Sequence, residues 1–150
     1  MKNKGFSLVE ILFAIAIIAV AITIVSLSFS RLNSNIALET AQESVVAVFN
    51  EARSLTMLGK NEYQYGVNIQ DSQLVLFRGA SYSSGNATNV LVPLHAAVGI
   101  RNINISGGGS SVVFNRLTGA TTNTGTFEIY LLDATTTAHT ITINGTGVVE

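Results

Sequence analysis

The sequence contains no cysteine, no tryptophan and a single proline, Pro93. Without cysteine, the chain has no disulfide framework, no cysteine-ligated zinc site and no thiol nucleophile. Charge is also scarce, because only 11% of the residues are Asp, Glu, Lys or Arg, against about 25% in an ordinary soluble domain. The formal net charge is −1, which argues against broad electrostatic attraction to nucleic acids. A chain of 150 residues has room for one domain and a small appendage.

The apolar residues are concentrated near the N-terminus. Between residues 11 and 25 the only polar side chain is Thr23. As a helix, residues 6–29 would be about 36 Å long, which exceeds the ~30 Å hydrocarbon core of a bilayer. Two lysines precede this segment, and no basic residue follows it before Arg31. The positive-inside rule therefore predicts a cytoplasmic N-terminus and an external location for the chain beyond the segment.

An acidic residue interrupts the start of this apolar segment. Glu10 lies between Val9 and Ile11, and a carboxylate inside a bilayer costs about 2.5–3.5 kcal/mol on insertion scales. A cleaved signal peptide is a poor fit, because the apolar run continues past its best cleavage site. An ordinary membrane anchor fits the length but does not explain the acid. Either Glu10 reaches the membrane surface, or it has a function and a cationic partner.

The residues around Glu10 carry a family resemblance. The segment KNKGFSLVEIL, residues 2–12, resembles the processing and assembly signature of type IV pilins and type II secretion pseudopilins. The resemblance implies that a prepilin peptidase cuts between Gly5 and Phe6 on the cytoplasmic side, and that Phe6 is then N-methylated. It further implies that Glu10 pairs with the Phe6 amine of a neighbouring subunit in a filament. One departure is that the proline many such proteins carry in this helix is absent here.

The same resemblance implies the partners and the location of the chain. The partners are other pilin or pseudopilin subunits, a prepilin peptidase and an inner-membrane assembly platform. The location is the bacterial inner membrane, crossed once with the head outside the cytoplasm, and then a pilus or pseudopilus. We expect no nucleic-acid binding.

After Phe29 the apolar residues recur at helical spacing, while Glu39, Gln42 and Glu43 occupy other faces. This pattern predicts that the helix continues as an amphipathic segment to about residue 58, where Gly59 ends it. The expected apolar positions are Leu32, Ile36, Val45, Val48, Phe49, Ala52, Leu55 and Leu58.

From Tyr63 onward, alternating patterns predict strands separated by turn-rich segments. The expected strands are 63–70, 73–78, 90–94, 98–105, 111–117, 126–132 and 139–143. The predicted fold is α+β and pilin-like, with a long N-terminal helix packed on an antiparallel head of about seven short strands, arranged as two small sheets. The expected divisions are a leader (1–5), a membrane or filament-core helix (6–29), its amphipathic continuation (30–58) and an extracytoplasmic β-rich head (61–150).

A second, more diffuse resemblance concerns the head. The head resembles that of the GspH/FimT-like minor pseudopilins in three features. These are a long helix followed only by strands, the stretch VVFNRLTGATTNTGTFEIYL, and a last hairpin marked by glycines at residues 143–147. The Ala52-Arg53-Ser54 sequence near the end of the helix also resembles that group.

No enzyme constellation is evident, and we expect no catalytic residue, metal or cofactor. His95 and His139 have no partner at ligand spacing, so we expect hydrogen-bonded or solvated histidines. The Gly-rich segment 107–111 lacks the lysine of a phosphate-binding loop. Three triplets match the Asn-Xaa-Ser/Thr pattern of glycan acceptors, but polar strands produce so short a pattern freely. These triplets begin at Asn86, Asn104 and Asn144.

The sequence therefore predicts a structural subunit, a minor pilin or pseudopilin of a type II secretion system or type IV pilus. One alternative is a competence-type pilin that captures DNA. The last ten residues, 141–150, contain no Lys or Arg, and phosphate binding needs clustered positive charge. A further alternative is a membrane-anchored adhesin, binding module or enzyme that only uses the anchor.

Overall fold

The structure, a computed structural model, describes residues 7–59 and 62–150, with the backbone alone described at 26–32. The described residues form one long helix and seven strands, and all strand pairs are antiparallel. The predicted α+β fold is thus confirmed. The elements are α1 (Leu8–Met57), β1 (Tyr65–Gln70), β2 (Gln73–Arg78), β3 (Val90–Pro93), β4 (Val98–Ile105), β5 (Ser111–Val113), β6 (Gly125–Leu131) and β7 (Ala138–Ile143).

The chain divides into two compact units. The N-terminal unit ends at Asn35, and the head unit covers Ile36–Glu150. Helix α1 contributes residues to both units. Within the head unit, the strands form a four-stranded sheet in the order β3-β2-β1-β5 and a three-stranded sheet in the order β4-β6-β7.

The C-terminal half of α1 packs on both sheets and forms the core of the head unit. Its buried stripe advances by three or four residues, as a helix with 3.6 residues per turn requires. Phe49 lies at the centre, with its ring centroid 6.5 Å from that of Phe114 and 6.1 Å from that of Phe127 on β6. The predicted packing of two sheets on the helix is therefore correct. The buried stripe consists of Ala37, Leu38, Ala41, Val45, Val48, Phe49, Ala52 and Thr56.

The prediction that Ile36 and Leu58 are buried in the core is wrong. Ile36 is 60% exposed and Leu58 is 78% exposed. Because successive residues are rotated by about 100° around a helix, Ile36 falls on the opposite side from the stripe that contains Phe49. Leu58 follows Met57, the last residue of α1, and therefore does not belong to the buried face of the helix. Leu32, also expected in this face, has a side chain outside the described part of the structure.

The end of α1 is fixed by a buried threonine and a glycine. The Thr56 hydroxyl donates to the Ala52 carbonyl (2.8 Å) and accepts from the Tyr65 amide (2.9 Å), which ties the helix to the start of β1. Gly59 has a left-handed backbone (φ 62°), which costs glycine little, and its amide donates to the Thr56 carbonyl. The predicted helix stop at Gly59 is thus confirmed.

Strand β5 is shorter than expected, because it ends at Val113 rather than residue 117. The chain beyond it folds into a turn: the Asn115 amide donates to the Ala120 carbonyl (2.7 Å), and the Gly119 amide donates to the Asn115 carbonyl (2.9 Å). Leu117 has a positive φ of 70° and an exposed side chain. Apolar residues continue past Val113 in the sequence, at Phe114 and Leu117, but the hydrogen bonds of this turn end the strand at Val113.

The second face of the four-stranded sheet is covered by the segment between β2 and β3. Tyr82 of this segment packs edge-on against Phe77, with centroids 5.6 Å apart, and its hydroxyl accepts from Gln70 Nε2 (3.1 Å). Phe77 is consequently 1% exposed. Strands β1 and β2 are thus buried on both faces, and β2 accordingly contains a continuous apolar run, residues 74–77.

Two of the sheet edges are closed by the chain itself. Along β5, the Thr121 hydroxyl donates to the Val113 carbonyl (2.8 Å), and Asn123 Oδ1 accepts from the Val113 amide (3.2 Å). Along β7, Thr142 and Glu150 exchange both backbone hydrogen bonds. Strand β3 has one partner strand, β2, among the described residues, and Val90 and Leu91 on it are more than half exposed.

Candidate assembly site

Glu10 lies in the first turn of α1. The Ser7 carbonyl accepts hydrogen bonds from the amides of Glu10 (3.0 Å) and Ile11 (3.2 Å), which starts the helix. The carboxylate therefore lies near the positive end of the helix dipole, where a negative charge is favoured. Its side chain is exposed and has no hydrogen-bond or ion-pair partner among the described residues.

The residues of α1 that follow Glu10 are apolar until Thr23, and those beside it on the helix surface are Ile11, Ala14 and Ile15. Glu10 and these three residues line a shallow depression. Side chains at 7–25 are all exposed, so this part of α1 shows no separate apolar and polar faces. A helix that is apolar all round is stable when buried in a large assembly or a membrane.

The length and composition of this segment fit a membrane span. Leu8–Val25 has a mean hydropathy of 2.9, and within the described ranges one helix is long and apolar enough to cross a bilayer. Besides Glu10, the polar residue in this span is Thr23, whose hydroxyl donates to the Ala19 carbonyl at 2.9 Å. A hydrogen bond of this kind removes the cost of placing a hydroxyl in hydrocarbon.

Of the three residues predicted from the sequence to act in processing and assembly, the structure places one. Glu10 occupies the exposed position just given, whereas Gly5 and Phe6 lie outside the described residues. The predicted cleavage after Gly5, the methylation of Phe6 and the pairing of Glu10 therefore stay predictions. The predicted leader, 1–5, also lies outside the described residues.

Residues 1–26 match the family model of the prokaryotic N-terminal methylation motif. The chain carries a pilin-type methylation motif. This motif indicates a subunit of the type IV pilin or pseudopilin type, which assembles with other such subunits after processing by a prepilin peptidase. With the apolar helix that overlaps it, the motif fits a membrane-anchored protein. The match covers the N-terminal part of the chain and leaves the head unit outside it.

The other two comparisons gave no match. No curated protein matches the chain, and no solved structure matches it. The resemblance of the head to GspH/FimT-like pseudopilins therefore stays a prediction.

The head unit contains an ion pair that sequence reasoning missed. Arg101 Nε on β4 donates to Glu128 Oε2 on β6 at 2.9 Å, and the guanidinium lies 4.6 Å from the centre of the Tyr130 ring. A bulge in β4 places Asn102, with φ of 53°, beside the same carboxylate. The hydrogen bond from Arg101, then that from Asn102, lowers the pKa of the Glu128 carboxyl below its ordinary value.

Two further arginines of the head unit are engaged by neighbouring groups. Arg53 Nε donates to the Gly119 carbonyl at 3.2 Å, and the Arg78 guanidinium lies 4.4 Å from the centre of the Tyr63 ring. These arrangements use the basic side chains in contacts within the head unit. The fourth arginine of the head unit, Arg116, is exposed.

Both histidines are hydrogen-bonded, one of the two situations predicted for them. His139 Nδ1 on β7 makes a short contact with Gln42 Oε1 on α1, and His95 Nδ1 accepts from the Ala97 amide at 3.2 Å. In the part of the chain that the structure describes, no group of three or more His, Cys, Asp or Glu residues is placed to hold a metal ion.

Proposed function

We propose that the protein is a minor pilin or pseudopilin, a structural and non-enzymatic subunit of a type II secretion pseudopilus or a type IV pilus. The peptidase removes residues 1–5, Phe6 becomes the methylated N-terminus, and residues 6–29 enter the filament core. The β-rich head, of the GspH/FimT-like kind, remains outside the cytoplasm. The observation that carries this proposal is the methylation motif at residues 1–26, which overlaps an apolar helix with exposed side chains.

The physical role of Glu10 follows from its surroundings. An ionised carboxylate beside Ile11, Ala14 and Ile15 costs several kcal/mol in lipid unless a cation neutralises it. The amine of a trimmed neighbouring chain supplies such a cation when its Phe6 lies level with Glu10. A subunit that enters in another register leaves both charges unpaired, so the pair fixes the register in which helices assemble.

The decisive experiment separates processing from assembly. We expect Glu10→Ala to be cut normally but to enter filaments at least about tenfold less, because the unpaired amine of the neighbour costs more than about 1.4 kcal/mol. Glu39→Ala, which removes an exposed acid from the same helix within the head unit, is the matched control and should enter normally. Immunoblots of sheared filaments and of the membrane fraction measure both steps.

A second variant tests the cleavage site directly. Gly5→Ala should leave a protein that is heavier by the leader, as determined by intact mass spectrometry, because the peptidase needs a residue without Cβ at this position. In cells without the peptidase the unaltered chain should keep the same extra mass. A mature chain that begins at Phe6 in those cells would contradict the proposal, as would a Glu10→Ala variant that assembles like the control.

A further inference from the structure

We propose that Asn86 is an acceptor for N-linked glycan on the folded protein. Three triplets in the sequence match the Asn-Xaa-Ser/Thr pattern, and the structure distinguishes them. Asn86-Ala87-Thr88 lies in the segment between β2 and β3, and all three residues are exposed. The turn that contains Asn86 is held by bonds within residues 83–89, whereas the other two triplets are bonded to distant parts of the head unit, as the contacts below show.

The Asn86 triplet has a local geometry suited to attachment. Asn86 Oδ1 accepts hydrogen bonds from the Thr88 amide (3.0 Å) and from the Thr88 hydroxyl (2.9 Å). The side-chain nitrogen, which receives the sugar, makes no hydrogen bond to any described residue. Hydrogen bonds to the amide oxygen polarise the amide and make its Nδ2 protons easier to remove. The acceptor nitrogen is thus both accessible and activated by Thr88.

The second triplet is part of the three-stranded sheet. Asn104 pairs with Thr126 across β4 and β6, and the middle residue, Ile105, is 4% exposed. The hydroxyl of Ser106 donates to the Thr124 carbonyl (2.9 Å) and accepts from the Thr124 amide (2.8 Å). A transferase could bind this triplet only after β4 had separated from β6.

The third triplet is held in a turn. The Asn144 amide donates to the Val148 carbonyl (2.9 Å), and the Asn144 carbonyl accepts from the Gly147 amide (2.8 Å). The carbonyl of Gly145 accepts from the Thr121 amide (3.0 Å). The Asn86 turn has similar local bonds, from the Asn86 amide to the Ser83 carbonyl and from the Asn89 amide to the Asn86 carbonyl. The bond from Thr121, however, ties the Asn144 triplet to a distant part of the head unit, so its backbone cannot extend into an enzyme groove unless this long-range contact breaks.

A glycan at Asn86 would add a hydrophilic group to a segment without charged residues. From Gly79 to Leu94 the chain contains no Asp, Glu, Lys or Arg. Strand β3, which follows the triplet directly, exposes Val90 by 55% and Leu91 by 60% beside an edge with no further partner strand among the described residues. Edge strands are usually protected by charge or proline, and here Pro93 is the one such residue. A bulky hydrophilic group four residues before Val90 would shield this edge.

The donor is a lipid pyrophosphate-linked oligosaccharide, used by an oligosaccharyltransferase. In the transfer, a bond forms between Asn86 Nδ2 and C1 of the first sugar, and the bond between C1 and the phosphate oxygen breaks. The lipid pyrophosphate leaves, and one Nδ2 proton passes to a base of the enzyme. That the transfer happens outside the cytoplasm rests on the proposed membrane topology, but the reactivity of the folded triplet does not.

The test is glycosylation of the purified full-length chain in detergent, with a single-subunit oligosaccharyltransferase that requires only Asn-Xaa-Ser/Thr and its lipid-linked oligosaccharide. We expect the intact mass to increase by one glycan, and peptide mapping to place it on Asn86. The increase should be lost in Asn86→Gln and Thr88→Ala and kept in Thr88→Ser, which retains the hydroxyl. Asn104→Gln and Asn144→Gln are the matched controls and should still accept one glycan.

A modified reference peptide shows in every run that the enzyme is active. Near-ultraviolet circular dichroism checks the fold of each variant, and Thr88→Ala and Thr88→Ser keep the test decisive if Asn86→Gln does not fold. The proposal is overturned if the unaltered chain stays unmodified beside the modified reference peptide, or if the glycan lies on Asn104 or Asn144. Because the assay involves no cleavage, membrane insertion or filament, its failure would leave the proposed function untouched.

Discussion

Replacing Phe49 by alanine should destabilise the head unit by about 4 kcal/mol. Phe49 is 0% exposed, and burying a phenylalanine side chain removes about 150–250 Å² from water. At ~25 cal/mol per Å² this corresponds to about 4–6 kcal/mol, which agrees with the 3–5 kcal/mol typical of Phe→Ala substitutions in cores. Its ring packs against Phe114 and Phe127, so the helix loses contacts with both sheets. A loss of this size is a large fraction of the ~5–15 kcal/mol that stabilises a domain.

The assay is chemical denaturation of the full-length chain in detergent, followed by near-ultraviolet circular dichroism of the head-unit aromatic residues. Ile36→Ala is the control, because Ile36 lies on the same helix but is 60% exposed, and we expect a change of less than about 0.5 kcal/mol. If Phe49→Ala costs less than about 1 kcal/mol, or no more than the control, the stripe around Phe49 is not the core of the head unit. The described register of α1 on the sheets would then be wrong.

Two further predictions concern an ion pair and a tight turn of the head unit. The hydrogen bond from Arg101 lowers the pKa of Glu128 in the folded state. The pair therefore stabilises the fold at pH values above 4.5, the ordinary pKa of the carboxyl group, and this contribution is lost as the pH falls from 4.5 through the lowered pKa. The difference in unfolding free energy between the unaltered chain and Glu128→Gln should therefore shrink between pH 7 and pH 3, and a constant difference would contradict the pairing. Gly147→Ala should cost about 3 kcal/mol, since its Cβ would lie 2.0 Å from a backbone carbonyl oxygen at a φ of 78°. Gly85→Ala, at a φ of 82° with nothing within 4 Å of the added Cβ, should cost only about 1 kcal/mol in the same denaturation assay, and equal costs would show that Gly147 is not crowded.

Helices and strands could be predicted from the sequence where the pattern of apolar residues and the positions of turn residues indicated the same bounds. Strands β2 and β4 have the bounds expected from the sequence, 73–78 and 98–105, because apolar residues typical of strands are flanked there by turn residues. The predicted end of β5 was wrong because apolar residues continue past Val113, at Phe114 and Leu117. The rotation of α1 was misjudged at Ile36, since apolar residues occur on more than one side of this helix and only the sheets select the buried side.

The contacts between distant residues could not be predicted from one sequence. Arg101 and Glu128 face each other only in a particular register of β4 on β6, and the bulge at Asn102 shifts that register within the strand. Glu10 could be singled out for a simple reason: an acid in an apolar segment is costly wherever the rest of the chain lies. The partner predicted for it belongs to another subunit, so a single chain cannot display the pair.

The side chains that close the edge of β5 have a consequence for crowded conditions. Proteins tethered to one membrane meet at high local concentration, where exposed backbone amides and carbonyls of sheet edges join readily into intermolecular β-structure. Thr121 and Asn123 occupy the hydrogen-bonding groups of Val113, and the C-terminal residues do the same for part of β7. Backbone pairing between copies is therefore blocked at Val113 and at the C-terminal end of β7, where contacts between copies depend on the shape and chemistry of side chains.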